Sequence, residues 1–213
     1  MDEVIIRTEK KEDYEKTENV TREAFWNVYC PGCTEHYMIH IMRENPMFIP
    51  DLDFVAVIND EIVGNVMCTQ GHIITDHGQI NVVSLGPISV IPSCQRKGIG
   101  GLLIKSVQKA ATAMGFPAIL LCGDPNYYSR HGFLQAAKFG IRTENGKYAA
   151  ALHVLQLKEG FLNEASGRYI EPQVYQIDEK DAEAFDKNFP RKEKLEGTAS
   201  QGRFNEIQSM TWD

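Results

Sequence analysis

Gln95, Gly98, Gly100 and Gly101 fall in one short turn, Gln95-Arg96-Lys97-Gly98-Ile99-Gly100-Gly101, between an apolar strand and an amphipathic segment. Glycines at this spacing let the backbone wrap closely around an oxyanion, and the start of the following helix favours negative charge. A strand, a turn with free N–H groups and a helix N-terminus together suit an anionic ligand such as phosphate. Arg96 and Lys97 place two cations there; they read almost equally well as solvated loop charges. Two familiar phosphate signatures fail. A P-loop needs Gly-Lys followed by Ser or Thr, whereas Gly100 is followed by Gly101 and Leu102. A dinucleotide GxGxxG starting at Gly98 needs glycine where Leu103 stands.

The elements around the turn must position it. Gln79 to Val90 reads as a long strand interrupted by Gly86-Pro87. Proline cannot donate to a sheet ladder and glycine inside a strand often marks a bulge, so pairing should end on one side there. The backbone of Ile88, Ser89 and Val90 would then have free groups to offer a ligand. After the turn, Ile99, Leu102, Leu103, Val107, Ala110, Ala111 and Met114 follow one helical face, Gly115 suits the C′ position and Pro117 stops the helix. Ala118 to Cys122 is a short buried strand. Strand, helix and strand of these lengths form a βαβ unit with parallel strands and a right-handed crossover.

Upstream, Val4 to Arg7 is a strand, followed by a helix to about Tyr29, the Pro31-Gly32 break and a second helix from about Thr34 to Glu44. Leu52 to Ile58, Ile62 to Thr69 (extended by Gly71 to Thr75) and Gln79 to Val90 make an antiparallel meander through the turns at Asn59 and Asp76. Downstream, Asn126 to His131 makes a short helix, and Phe133 to Phe139 and Ala149 to Leu157 are strands. From Glu159 the chain turns polar: Gln173 to Ile177 reads as a small strand, Asp178 caps a helix to about Asn188, and the charged stretch from Pro190 is draped or partly disordered. The fold class is therefore α/β, with a mixed, mostly antiparallel sheet.

The 213 residues are 43% hydrophobic and 24% charged, enough for one sizeable core. A net charge of −7 argues against a bulk nucleic-acid binder, which would carry a basic footprint. No apolar run reaches the length of a membrane span, and the N-terminus lacks the apolar stretch of a signal peptide, so neither membrane attachment nor export is expected and the cytoplasm is the default. Cys30, Cys33, Cys68, Cys94 and Cys122 are odd in number and mostly embedded in apolar sequence, as reduced thiols are. Cys30-Pro31-Gly32-Cys33 with His36 and His40 has zinc-like donors, but the two pairs sit too close together to converge as finger ligands do, so no metal is expected.

The turn Gln95 to Gly101, with the strand before and the helix after it, resembles the CoA-binding motif of the GCN5-related N-acetyltransferase (GNAT) superfamily, Gln/Arg-x-x-Gly-x-Gly/Ala. Tyr128-Ser129-Arg130-His131-Gly132-Phe133 is similar to its Y-x-x-x-G-F segment. The whole stretch, L-G-P-I-x-V-x-P through G-D-P-x-Y-Y-x-R-x-G-F, is like a subgroup of predicted bacterial acetyltransferases. The resemblance covers about Val4 to Leu157 in element order, which sets a GNAT-like domain over 1–157 and a C-terminal extension over 158–213 packing on it. It implies acetyl-CoA as acyl donor. The backbone of Gln95, Arg96, Lys97, Gly98, Ile99, Gly100 and Gly101 would bind the pyrophosphate, and Ile88 and Val90 would pair with the pantetheine arm as an added strand does. Tyr128 would protonate the departing thiolate, with Tyr127 as the neighbouring alternative. The hairpin of the first two helices would wall the acceptor, making Glu35, His36 and Tyr37 specificity residues; the alternative is a surface turn. The glutamate that many members carry on the bulged strand is absent, since Gly86-Pro87 stands there. Asp124, His72 or a water relay remain as bases.

Two functions follow. One is transfer of an acetyl group from acetyl-CoA to a primary amine of a small molecule or protein by direct attack. The other is a non-catalytic CoA or acyl-CoA sensor on the same scaffold, because fold and cofactor site alone do not prove turnover. Either reading leaves room for a homodimer.

Overall fold

The computed structural model describes residues 3–213. The first half of the chain contains β1 (Ile5–Thr8), α1 (Tyr14–Phe25), α2 (Glu35–Met42), β2 (Phe54–Ile58), β3 (Glu61–Thr75) and β4 (Gly78–Val90). Then come α3 (Ile99–Ala113), β5 (Ala118–Cys122), α4 (Pro125–Tyr128), β6 (Leu134–Gln135), β7 (Ile141–Arg142), β8 (Tyr148–Ala149) and β9 (Leu152–Gln156). The last part contributes β10 (Gly167–Ile170), α5 (Glu179–Asp186), α6 (Ala199–Ser209) and β11 (Thr211–Trp212). The main sheet runs β1-β2-β3-β4-β5-β9-β6. Its neighbours are antiparallel except β4 and β5, which run parallel across α3. β10 pairs with the far half of β3 and runs parallel to β7, while β8 and β11 form a separate pair.

Strand alternation sorts the core into two layers. Ala56, Val66, Cys68, Val83, Leu85, Ile119 and Leu121 meet Ile99, Leu103, Ile104, Val107 and Ala111 of α3. On the opposite face Val55 and Val57 meet Val20 of α1, and Met67 meets Ile39 and Met42 of α2. Both faces are covered, which is why these strands read as unbroken apolar runs. Each fully buried Leu, Ile or Val side chain of α3 contributes roughly 1.5–3 kcal/mol.

The sequence reading is corrected in the second half. Phe133 to Phe139 is not one strand: β6 stops at Gln135 and Ala136–Phe139 turns as a 3-10 helix closed by Gly140 at φ 71°. Ala149 to Leu157 divides into β8 and β9. Gln173–Tyr175 is a 3-10 turn rather than a strand. The stretch after Pro190 is not simply draped, because it contains α6. Thr198 caps that helix through Gln201 N–H, and the Gln201 side chain returns to the Thr198 N–H. This capping box was legible in Thr198-Ala199-Ser200-Gln201. The weak apolar pattern of the helix concealed it.

The C-terminal part is tied to the rest by buried polar contacts. Arg22 is 1% exposed; its guanidinium meets Asp186 at 2.6 Å and donates to Pro190 O at 3.0 Å. The Tyr175 hydroxyl lies 3.0 Å from Gly86 O and 3.2 Å from Ser84 O, and accepts from Thr69 Oγ1 at 3.1 Å. Tyr175 thus clasps the interrupted part of β4. Replacing it with phenylalanine keeps the ring and strands these carbonyls; Tyr175→Phe is expected to cost about 1–3 kcal/mol of stability, read from the urea midpoint at unchanged slope.

Candidate active site

β4 and β5 pair only at Val83–Ile119 and Ser84–Leu120, then diverge. At the point of divergence Gly86 and Pro87 together face Met67 of β3, a bulge with one extra residue on β4. Gly86 has φ 145°, a conformation that a side chain opposes. Beyond the bulge the β3 pairing resumes, and Ile91 N–H donates to Val63 O at 2.8 Å. Antiparallel alternation then turns the main-chain groups of Ile88 and Val90 away from β3, into the divergence. Val90 O accepts from the Gln95 amide at 3.0 Å, which fixes the entry to the glycine turn. Ser89 does not share this geometry. Its side chain is buried against Asn65 and Thr21, and its main chain faces β3.

Gly98, at φ 84°, is the N-cap of α3 and supplies no side-chain cap, so the N–H groups of Ile99, Gly100 and Gly101 open outward. Ile99 buries its side chain in the core and offers only backbone. Arg96 stands at φ 61° beside the turn. Lys97 is turned back, donating to Ser93 O at 2.9 Å. A cavity of about 650 Å³ runs along this turn past Ile88, Val90 and Gln95 to Arg130 and Tyr128. Ser89 and Lys97 do not line it. The Tyr127 hydroxyl rests over Gly100, and the His131 ring lies against Gly101.

Tyr128 marks the inner end. Its ring packs on Gly123, where a Cβ would collide with it, and meets Phe133 edge-on with centroids 5.7 Å apart. Burial pushes its phenol up, so it keeps its proton at neutral pH. Tyr128, Tyr29 and Ile88 line both the long cavity and a second one of about 270 Å³ on the opposite side of the divergence. Glu35 and Met38 of α2, Phe25 of α1, Glu171, Tyr175 and α6 residues Phe204 and Gln208 complete the second wall. Phe204 stacks on Tyr29 with centroids 4.4 Å apart.

Of the three expected wall residues, only Glu35 reaches this cavity. His36 is fully buried, with Nδ1 3.3 Å from Cys33 Sγ and Nε2 3.2 Å from Asp186 Oδ1, and Tyr37 packs against Phe185. A helix turns successive side chains by about 100°, so three neighbours cannot share one wall. His40 bonds to Glu18 at 3.0 Å, away from Cys30 and Cys33. Asp124 caps α4 at Asn126 N–H, pairs with Arg203 and lines the long cavity, whereas His72 lies in β3 opposite Asn81, outside both cavities. Glu171, Tyr29 and Phe204 belong to no motif and come from distant segments, so sequence alone does not bring them to this cavity; Tyr175 is legible only as part of a C-terminal stretch able to cover a cleft.

Glu35 is 8% exposed and accepts from Thr34 N–H at 3.0 Å; burial pushes its carboxyl up to about 7. Burial likewise pushes Glu171 up to about 7, and its carboxylate has no hydrogen-bond partner among the described residues. A carboxyl raised by folding contributes stability below its unfolded value of 4.5 and loses it as pH rises through about 7. Glu35→Gln, which retains an acceptor for Thr34 N–H, is therefore expected to match the parent protein near pH 4.5 and exceed it by about 2–3 kcal/mol at pH 8. Urea unfolding at the two pH values measures the difference.

Residues 15–139 match the model of the acetyltransferase (GNAT) family. An uncharacterized N-acetyltransferase of Escherichia coli K12, YjhQ, is 31% identical over 96 residues, which is 45% of this chain and 53% of that protein. The match thus spans about half of that relative's length. A GNAT family N-acetyltransferase from Escherichia coli, YhbS, crystallised with CoA, superposes with a TM-score of 0.74 at 21% identity, covering 83% of this chain and 94% of that one. A GNAT family acetyltransferase from Brucella melitensis, crystallised with acetyl-CoA, gives 0.66 at 23% identity over 82% and 99%. At these identities the two structures establish the fold. Together with the match over most of the main sheet and its helices, they lead to one conclusion: the chain belongs to the acetyltransferase (GNAT) family.

Proposed function

We propose that the protein transfers the acetyl group of acetyl-CoA to a primary amine. The observation that carries this reading is the meeting of two cavities at Tyr128, across the divergence of β4 and β5. One is long and carries an uncapped helix start with Arg96 and Arg130; the other is smaller and lined by carboxylates and aromatic rings. The residues present suit the pyrophosphate and pantetheine of CoA. The open N–H groups of Ile99, Gly100 and Gly101 bind oxyanions. The outward backbone of Ile88 and Val90 pairs with an amide-bearing arm as an extra strand does. The same two protein structures that share this fold were crystallised with CoA and acetyl-CoA, which supports the assignment of the donor.

With the donor so held, its thioester reaches the junction, and an amine approaches from the second cavity. Nitrogen attacks the carbonyl carbon, the C–S bond breaks, and Tyr128 gives its proton to the leaving sulfur. A phenol suits a thiolate leaving group because its proton is retained at neutral pH until sulfur becomes basic. Orientation by the backbone supplies the remaining advantage. Tyr127 belongs to the pyrophosphate end, over Gly100, and serves the chemistry less directly.

Two measurements test this. Tyr128→Phe is expected to leave CoA affinity unchanged by calorimetry and to slow thiol release from acetyl-CoA by roughly 10²–10⁴-fold. Gly100→Glu puts a Cβ against the Tyr127 hydroxyl and a carboxylate where the pyrophosphate would lie, so CoA binding should vanish. Tight CoA binding with no thiol release on a broad amine panel would instead identify a sensor.

A further inference from the structure

Glu171 belongs to two cavities at once. It lines the acceptor cavity with Glu35, Tyr29, Tyr175 and Phe204, and with Cys122 it also lines a third cavity of about 350 Å³ bordered by Glu144 and Gln176. The titratable groups lining these two cavities with it are Tyr169 and Tyr175 from β10 and the turn after it, Cys122 of β5, Tyr128 of α4, Tyr29 after α1, Glu35 of α2, and Glu144 of the turn between β7 and β8. No lysine, arginine or histidine lines either cavity among the described residues. Glu35 and Glu171 share a small cavity with aromatic rings, Met38 and Gln208, with no cation lining it among the described residues, and a carboxylate withdrawn from water without a counter-ion is costly. Glu35 is nine-tenths buried and accepts from Thr34 N–H and its own N–H, while Glu171 is partly buried.

Resting on the function proposed above, we infer that the acceptor is a small protonated amine on a compact apolar body, and that Glu171 takes the proton from its ammonium group. The incoming cation supplies the missing charge, and the rings of Phe25, Tyr29 and Phe204 contact the body and stabilise the cation. The cavity of about 270 Å³ lies just below the usual range of roughly 300–1,000 Å³ for ligand pockets, which fits a small acceptor. Glu35, tied to the Thr34 N–H, anchors the ammonium, and the bound cation favours its ionised form. Glu171 has no hydrogen-bond partner among the described residues and can pass its proton onward. It removes one proton from R–NH3+, leaving the nitrogen lone pair to attack the thioester. The C–N bond forms and the C–S bond breaks, and sulfur receives the Tyr128 proton. The second amine proton, lost as the tetrahedral nitrogen becomes an amide, restores Tyr128. Glu171 releases the first into the third cavity, away from the bound substrates. This route replaces the strand glutamate whose place Gly86-Pro87 occupies.

The test uses the full chain, acetyl-CoA, and three probes: 2-phenylethylamine, glucosamine and the tripeptide Ser-Ala-Gly. The parent protein should acetylate 2-phenylethylamine with kcat/KM at least about tenfold above the other two. Its kcat/KM should rise with pH through about 7. Glu171→Gln should lower kcat by roughly 10²-fold or more and abolish that rise, with CoA affinity retained and the urea midpoint not lowered. Glu35→Gln should raise KM for the amine while keeping the rise. Preference for glucosamine or the tripeptide would overturn the acceptor class. A Glu171→Gln protein that keeps the parent rate and pH profile would overturn the proton route, while Tyr128→Phe still reported on acetyl transfer itself. Release of thiol with none of the probes despite CoA binding would overturn this inference without touching the CoA site.

Discussion

The Tyr175 hydroxyl on the carbonyls of Ser84 and Gly86 holds the one irregularity on which the site depends. A bulge exposes main-chain groups that a regular ladder would consume, and in a buried sheet such groups need partners. Here one carbonyl of the bulge is satisfied by a phenol from the C-terminal part of the chain. The strand past the bulge then keeps its β3 pairing while its other edge stays open. The same side chain lines the smaller cavity. The open edge of β4 and that cavity therefore share a support, and neither is independent of residues far away in sequence.

Electrostatics divides the site in two. The long cavity collects N–H groups, Arg96 and Arg130, with one carboxylate, Asp124, already paired with Arg203, while the smaller one collects carboxylates among rings. On the proposed function, donor and acceptor of opposite charge are drawn from opposite sides to one tyrosine. Away from the site the buried arginines are paired: Arg43 meets Glu9 at 2.9 Å and Glu18 at 2.6 Å, and Arg22 meets Asp186. Such pairs fix helix positions, since removing one partner strands the other. Glu171 has no such pair among the described residues, and it differs from the buried Asp53, whose Oδ1 also lacks a partner, in lining a cavity.

The glycine turn and the interrupted strand before it were legible in sequence because their physics is local. A glycine pattern, a helix start and a strand interruption occupy one contiguous stretch, and each has a signature in residue type. Glu35 was also reachable, as part of the helix that walls the cleft. Its neighbours His36 and Tyr37 were not separable from it without knowing the rotation of α2 about its axis. Glu171 was invisible for a different reason. A lone glutamate in polar sequence reads as solvated, and only the pairing of β10 with β3 carries it under α6. The strands assigned to Phe133–Phe139 and Gln173–Ile177 failed because apolar runs of that length do not distinguish an extended segment from a tight turn packed on the core. Of the bases considered, Asp124 is engaged in capping and in its pair with Arg203 where it lines the long cavity, and His72 lies outside both cavities.

The tail contributes Glu171, Tyr175, Phe204 and Gln208 to the smaller cavity and, among the described residues, none of the lining along the glycine turn. Such a layout is modular: on the proposed function, exchanging side chains of the tail would change which amine is acetylated and leave the hold on the donor intact.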